Sequence, residues 1–383
     1  MTEPFAQHNA EVAELWNRYA KGTHARVPVL LTFDEQFLLP RWNCSFRQFY
    51  QDVPTQIDIR LETQEWIRTA VRQDQPMGLP DAWYVTPTNW MAENEFLGAE
   101  VIVQEHDYAW GQPLMLPKAK LLERLQRLDV HRGVLECSLH RQYVEMVERT
   151  KSMEFRGRPV RTSLPVTSTH GVFTKAAEIR GLERLCLDLY EDPPFARELL
   201  RTVTELLLAW IRTWHELCQA GRAFPSAEGW GLADDSIAMI SPAHYEEFVL
   251  PCHQRIYSAM TTGPRAIHLC GHAQHLFALI HRELGVTIFN GPGPQIDLVR
   301  MIGEIRAPIE IQVEVAHATL QMSRATIERE VRGLLRDEVK AQAKEMLIGY
   351  VPKDTPVENL AFFYECGRRY GQMAAGASPS RRL

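Results

Sequence analysis

Short apolar segments alternate with amphipathic segments through the C-terminal half of this chain, and this alternation constrains the fold more than any other feature. The apolar segments, which predict β-strands, span residues 265–270, 286–290, 307–315 and 345–349. The amphipathic segments, which predict helices, span residues 274–284, 295–303, 323–337 and 357–370. Strands that alternate with helices at this spacing indicate parallel βαβ units, and a series of them favours a (β/α)8 TIM-type barrel over an open sheet.

The N-terminal half is less regular. Residues 11–20 predict a surface helix ahead of a first strand at 26–32. The charge-rich residues 132–165 predict arms or loops rather than barrel wall, and such insertions often cover an active-site mouth. The length of 383 residues suits either two domains or one large barrel with insertions, and no low-complexity linker divides the chain. We therefore predict an α/β chain with a single barrel domain over residues 1–373, an N-terminal helical extension, loop insertions and a disordered tail at 374–383.

Charge and cysteine content narrow the class of protein. The net charge of -6 includes no concentrated basic block, which argues against a nucleic-acid partner. The 7 cysteines include no CxxC pair, and the N-terminus lacks a signal-peptide profile. The most apolar run, residues 206–211, is too short to span a bilayer. These features predict a cytoplasmic protein with no membrane partner.

His268 and Cys270 stand two residues apart at the end of one predicted strand. Because strand side chains alternate, both should project from the same face. Imidazole nitrogen and thiolate sulfur are ligands that zinc prefers. Two ligands do not make a metal site, so a buried cysteine beside a hydrogen-bonded histidine is the competing interpretation.

Further polar candidates lie near predicted strand ends; they are Asp34, His170, Asp234, Asp235 and Glu314. The adjacent Asp234 and Asp235 could hold a substrate or cap the following loop. Glu314 shares a polar strand face with Glu310 and Gln312, and such a face inside a barrel needs a reason. Trp90 lies in an aromatic-rich segment that could form a wall for a methylated ligand or belong to the core.

Several short motifs, in this order along the chain, resemble those of the uroporphyrinogen decarboxylase superfamily. They are G-V-F-T at 171–174 with I-R-G at 179–181, D-D at 234–235 with S-P at 241–242, H-L-C-G at 268–271, and T-P-V-E-N at 355–359. The superfamily includes uroporphyrinogen decarboxylases and corrinoid-linked methyltransferases. The resemblance implies a TIM-type barrel with its site at the C-terminal ends of the strands, a small-molecule substrate and often a homodimer.

Departures from the decarboxylase pattern argue against tetrapyrrole decarboxylation. The R-Q-A-G-R motif is absent after the first predicted strand. The place of the catalytic Asp, counted back from Gly98, holds Asn89, whose amide carries no charge to stabilise a protonated pyrrole. The segment after Thr174 also lacks the active-site Tyr of that branch.

The methyltransferase branch implies a zinc ion bound by the H-x-C pair and by a Cys shortly before the T-P-x-E-N motif. At the corresponding place, 348–352, this chain reads I-G-Y-V-P, with neither Cys nor His. The group that completes the coordination therefore stays open. The candidates are Asp234, Glu314, His272, His317 and Tyr350.

Two functional hypotheses follow. The first is a methyltransferase that moves a methyl group from a small methylated substrate to a corrinoid or thiol acceptor, with Zn2+ as cofactor and the corrinoid carried by a partner protein. Its metal ligands would be His268 and Cys270, its catalytic residues Asn89, His170, Asp234, Asp235 and Glu314, and its substrate contacts Asp34, Trp90 and Tyr350. The second is a non-catalytic protein that binds a tetrapyrrole or corrinoid.

Overall fold

The computed structural model describes residues 4–166, 169–218 and 221–373 of the chain. The strands are β1 Val29–Phe33, β2 Trp83–Val85, β3 Val101–Ile102, β4 Trp110–Gly111, β5 Glu154–Phe155, β6 Arg158–Thr162, β7 Thr169–His170, β8 Trp230–Ala233, β9 Arg265–His268, β10 Ile288–Asn290, β11 Glu310–Glu314 and β12 Lys344–Val351. The predicted tail at 374–383 lies outside the described residues.

The helices connect and surround these strands. They are α1 Ala6–Ala20, α2 Glu35–Arg41, α3 Phe46–Gln51, α4 Val53–Ala70, α5 Ala92–Phe96, α6 Lys118–Gln126, α7 Val130–Glu136, α8 Ser138–Thr150, α9 Val172–Arg180, α10 Leu182–Glu191, α11 Pro193–Leu217, α12 Pro242–His244, α13 Leu250–Met260, α14 Phe277–Leu284, α15 Leu298–Ile305, α16 Arg324–Leu334, α17 Asp337–Lys340 and α18 Val357–Tyr370.

The central sheet is parallel and follows the order β1-β12-β11-β10-β9-β8-β7. A helix returns the chain between successive strands, as the alternation in the sequence predicts. The architecture is a (β/α)8 TIM-type barrel with the helix α1 ahead of it, so the predicted fold class and N-terminal helix are confirmed.

The ladder of this sheet is continuous except between β1 and β7. On the β1 side, the Asp74 backbone N–H donates to the Val29 carbonyl (2.9 Å), and the Asp74 carboxylate accepts the Val29 N–H (2.7 Å). On the other side, β2 pairs with β6, and the Ser163 N–H donates to the Val85 carbonyl (2.8 Å). Residues 73–85 therefore border the gap that the ladder leaves.

The arms or loops predicted at 132–165 do lie outside the central sheet, but the stretch is more regular than a set of loops. This stretch contains the helix α8 and most of α7, and it also holds the antiparallel pair β5 and β6. Charged residues mislead here because an amphipathic helix lying over a barrel exposes most of its surface. Met146 of α8 is fully buried beside Val160 of β6, and together they anchor this insertion.

The strand β11 has two unlike faces. Ile311 and Val313 are fully buried in the main hydrophobic core. Glu310, Gln312 and Glu314 are half-buried and lie on the opposite face. Polar side chains therefore occupy part of the barrel interior, where most such barrels place branched apolar residues.

No helix in the described part of the chain combines the length and the apolar character needed to cross a bilayer.

Glu345 of β12 is a buried carboxyl group whose two oxygens find no hydrogen-bond partner among the described residues. Burial raises its pKa to about 8, and the charges of Lys340 and Arg336 oppose the rise only in part. The folded chain therefore holds a proton that the unfolded chain releases near pH 4.3. Stability from this proton is present below that pH and is lost as the pH rises through about 8.

We expect Glu345→Gln to stabilise the protein at about pH 8 by roughly 2–4 kcal/mol and to have little effect near about pH 4, because each pKa unit corresponds to about 1.4 kcal/mol. Denaturant unfolding across this pH range measures the effect. Glu338→Gln, which removes an exposed carboxylate from α17, is the matched control. An unchanged pH slope in Glu345→Gln would contradict this prediction.

Candidate active site at the C-terminal ends of the strands

A row of residues lies side by side across the carboxyl ends of five neighbouring strands. The strand registers pair His170 with Ala233, Ala233 with His268, His268 with Asn290, and Asn290 with Gln312. Residues at this end of parallel strands are brought together only by sheet formation, since long segments separate them in the chain. The candidate site is built on this row.

Asp235, His268 and Cys270 form a cluster at this end of the barrel. One ligand atom from each lies within 4.8 Å of the others. The Cys270 thiol donates to Asp235 Oδ1 (3.3 Å), and the Cys270 backbone N–H donates to the same oxygen (2.9 Å). His268 Nε2 is 3.8 Å from that oxygen. A nitrogen, a sulfur and a carboxylate oxygen therefore lie close enough together that they could hold a metal ion, and zinc accepts each of these donors.

The strand β9 ends at His268, so Cys270 lies in the following loop rather than on the strand. The expectation that strand alternation alone places both side chains together is therefore wrong. Asp235 brings them together instead, because it accepts from both the backbone and the side chain of Cys270. Cys270 is exposed, which excludes the competing interpretation of a buried cysteine.

A chain of hydrogen bonds fixes which nitrogen of His268 faces the cluster. His268 Nδ1 contacts Asn290 Oδ1, Asn290 Nδ2 donates to Gln312 Oε1 (3.1 Å), and Gln312 Nε2 donates to Glu310 Oε1 (3.0 Å). Glu310 is ion-paired with Lys344 (2.9 Å) and can only accept. Each amide must therefore present its oxygen toward His268. Nδ1 carries the proton, and Nε2 keeps a free lone pair.

The cluster is rich in acidic groups. Partial desolvation of the sulfur, together with the nearby carboxylates of Asp235 and Glu314, raises the pKa of the Cys270 thiol to about 12. Burial also raises the pKa of Glu314, although His268 opposes the rise. Like charges at close range favour a cation over an additional anion at this point. Glu314 lies beside the cluster but is not among its three converging groups.

The side chain of Asp234 has different surroundings from that of the adjacent Asp235. Its side chain is fully buried and accepts the backbone N–H groups of Phe173 (3.1 Å) and Thr174 (2.7 Å) at the N-terminus of α9. It also accepts from His253 Nε2 (2.8 Å). A Cβ added at Gly171 would lie 1.9 Å from Asp234 Cγ, so this contact requires glycine there. These contacts assign Asp234 a capping position, not one facing a ligand.

His170 belongs to a second polar group beyond β7. Its Nδ1 is 2.7 Å from Glu93 Oε2, and the buried Lys175 ammonium is 3.5 Å from the same oxygen. Burial raises the pKa of Glu93, but His170 and Lys175 outweigh it and hold that pKa below its usual range. Sequence reasoning missed Glu93 and Lys175. The available signal is Lys175 itself, a charged residue inside the apolar pattern of α9.

A cavity of about 420 Å³ lies next to this group. Its lining includes Glu35, Arg60, Asn89, Trp90, Glu93, Leu139, Val166, His170, Trp210 and Ala233. Asn89 donates to the Ser138 hydroxyl (2.6 Å) and accepts the Met91 N–H (3.0 Å). Trp90 is 48% exposed and faces the cavity, whereas Trp83 of the same aromatic segment is buried in the core.

Asp34 and Tyr350 lie on the β1–β12 side of the mouth. Asp34 accepts the Gln36 N–H (2.7 Å) as the cap of α2 and contacts the Tyr108 hydroxyl. His317 connects the two, since its Nε2 is 3.6 Å from Asp34 and its ring is 4.3 Å from the Tyr350 ring. The structure therefore brings Asp34 and Tyr350 to the mouth but apart from the cavity.

Comparison with known proteins identifies a shared family and fold. The family described as Uroporphyrinogen decarboxylase (URO-D) matches residues 84–370. The chain is 26% identical over 195 residues to the uroporphyrinogen decarboxylase of Syntrophotalea carbinolica, covering 50% of this chain and 53% of that protein. It is 29% identical over 120 residues to the methylated-thiol–coenzyme M methyltransferase of Methanosarcina mazei, covering 31% of this chain and 30% of that protein.

A solved structure of a methyltransferase from Methanosarcina mazei superposes with a TM-score of 0.63 at 15% identity. The superposition covers 94% of this chain and 98% of that one. At this identity the match shows the barrel fold. The sequence matches are shorter. They cover 53% of the length of the decarboxylase and 30% of the length of the coenzyme M methyltransferase.

We expect Asp234→Ala to cost about 3–5 kcal/mol of unfolding free energy, because it leaves the α9 N–H groups and His253 without an acceptor. Asp235→Ala is the matched control, and it should cost no more than about 1 kcal/mol since its side chain is 41% exposed. Denaturant unfolding of both variants measures the difference. Equal losses would show that the two adjacent carboxylates do not differ in role.

Proposed function

The chain belongs to the uroporphyrinogen decarboxylase family, and from this premise we propose that it is a methyltransferase acting on a small methylated substrate, with a corrinoid or a thiol as the methyl acceptor. The observation that carries the proposal is the convergence of Asp235, His268 and Cys270. The likeness to a methylated-thiol–coenzyme M methyltransferase supports the same reaction class.

The cluster fits a zinc ion. Asp235 takes the place of the cysteine that the methyltransferase branch has before its T-P-x-E-N motif, and His268 Nε2 is held as a lone-pair donor by Asn290. When bound, Zn2+ would supply Lewis acidity that keeps a thiol sulfur ionised at neutral pH. Asp235 therefore completes a ligand set that the sequence motifs alone leave one short.

Other residues at the mouth orient the His268 ring or accept a proton. Asn290 keeps the imidazole of His268 in one orientation through the hydrogen-bond chain that ends at Glu310. Glu314 lies near both His268 and Cys270, where its carboxylate can accept the proton that an acceptor thiol loses. In the transfer, the bond between the methyl group and its donor breaks as the new bond to the acceptor forms.

Asn89 argues against tetrapyrrole decarboxylation because its side chain carries no charge. Its amide is engaged by Ser138 and by the Met91 backbone. A neutral carboxamide at this position supplies no charge for a protonated pyrrole. The proposal therefore follows the methyltransferase branch of the family.

We expect the wild-type chain to bind one Zn2+ and to lose it in Asp235→Ala, His268→Ala and Cys270→Ala. Elemental analysis of protein prepared without chelators measures the metal. Zinc-loaded wild type should catalyse methyl exchange between methylcobalamin and a thiol, and the three variants should lose at least about 99% of this activity.

His131→Ala, which removes an exposed imidazole from α7, is the control and should keep full metal content. Wild type that binds a corrinoid tightly but holds no zinc would favour the non-catalytic alternative. Turnover of a porphyrinogen without methyl exchange would overturn the proposal in favour of decarboxylation.

The hydrogen-bond chain generates a separate prediction. Asn290→Ala should weaken zinc binding by about 10- to 100-fold without removing any ligand, because the imidazole of His268 loses its orienting acceptor. Competition with a fluorescent chelator measures the affinity. Asn290→Asp, which restores an acceptor, should recover most of it, and equal affinity in Asn290→Ala and wild type would contradict the role of the chain.

A further inference from the structure

We infer that the cavity beside His170 is a carboxylate-binding subsite anchored by Arg60. The inference rests on the proposed function and deepens it by naming a substrate class. That class is a small monocarboxylate with an apolar, preferably aromatic, body that carries the transferable methyl group.

Arg60 of α4 lines the cavity, and the residues described around it satisfy its guanidinium only in part. One of its guanidinium nitrogens contacts the Thr88 hydroxyl, while its buried Nε has no hydrogen-bond partner in the described parts of the chain. The guanidinium carbon lies 5.5 Å from the centre of the Phe49 ring, which holds the side chain in place. Within the same residues the guanidinium forms no ion pair. A guanidinium with a buried N–H that lacks an acceptor is costly unless a ligand supplies that acceptor.

Glu35 is the acidic neighbour that could neutralise Arg60, but it is engaged elsewhere. Its Oε2 lies 3.1 Å from the Tyr108 hydroxyl, which also contacts Asp34. Burial raises its pKa, and the charge of Arg60 offsets only part of that rise. The guanidinium therefore keeps its capacity to bind an anion that enters the cavity.

The shape and charge of the cavity favour a carboxylate over a phosphate. A planar carboxylate matches the two-pronged geometry of a guanidinium. Glu35 and Glu93 also line the cavity, and their charges would repel a dianionic phosphate more strongly than a monoanion. Trp90 and Trp210 provide apolar aromatic surface for the body of the ligand.

The cavity lies close to the cluster of Asp235, His268 and Cys270 across the sheet. The cavity reaches His170 of β7 and Ala233 of β8, and Ala233 is paired with His268 of β9. Two strand spacings separate the backbones at His170 and His268, a distance of roughly 10 Å. The residue between them has only a methyl side chain. A ligand anchored at Arg60 can therefore extend past Ala233 toward the cluster.

The test compares two probes, para-(methylthio)benzoate and its neutral counterpart para-(methylthio)benzyl alcohol, by calorimetric titration of the full chain near neutral pH. Wild type should bind the acid at least ten-fold more tightly than the alcohol. Arg60→Met should weaken acid binding at least ten-fold and leave alcohol binding within about two-fold. Arg60→Lys should be intermediate, because an ammonium cannot form the paired contact.

Alcohol binding by Arg60→Met reports that the cavity is still folded, and Arg60→Lys keeps the test available if the methionine variant does not fold. Arg47→Met removes an exposed arginine of α3 and controls for net charge. The subsite is overturned if acid and alcohol bind alike, if neither binds at millimolar concentration, or if the Arg60 variants bind the acid as wild type does.

Failure of the subsite and failure of the proposed function give different results. Acid binding through Arg60 in a protein that transfers no methyl group would leave the subsite standing and remove the methyltransferase. A protein that binds zinc and exchanges methyl groups, but binds the acid no better than the alcohol, would keep the methyltransferase and remove the subsite.

Discussion

The hydrogen-bond chain from His268 through Asn290 and Gln312 to Glu310 is the constraint on which the candidate site depends. It places polar groups inside a barrel, where each must find a partner. It also has one direction, because the Glu310 carboxylate at its far end, paired with Lys344, can only accept. That direction determines which nitrogen of His268 is presented at the mouth.

Asp234 and Asp235 are adjacent in the chain but have different surroundings. Asp234 is buried and ties β8 to the N-terminus of α9, which also explains why the close approach at Gly171 requires glycine. Asp235 is partly exposed and contacts Cys270. Neighbouring positions in the chain therefore carry a capping group and a candidate metal ligand, because the extended backbone of β8 ends at Ala233 and a 3-10 helix begins at Asp235.

The mouth of the barrel has two regions with opposite preferences. The cluster around Cys270 is acidic and favours a cation. The cavity beyond His170 is lined by the guanidinium of Arg60, whose Nε has no partner among the described residues, and it favours an anion. Ala233 lies between them at the level of both histidines. A single ligand with a charged end and a reactive end is the simplest occupant of such a mouth.

The sequence by itself determined the strand and helix order after residue 265 and the presence of His268 and Cys270 near one strand end, because these depend on local periodicity or on short spacing along the chain. Helix α18 matches its predicted bounds, whereas the strand carrying His268 ends two residues early. Only the tertiary structure decided that Asp235 joins the cluster, that Asp234 is buried and that Arg60 faces the cavity. These placements depend on the register between strands and on how the N-terminal helices pack over the mouth, which no local pattern encodes.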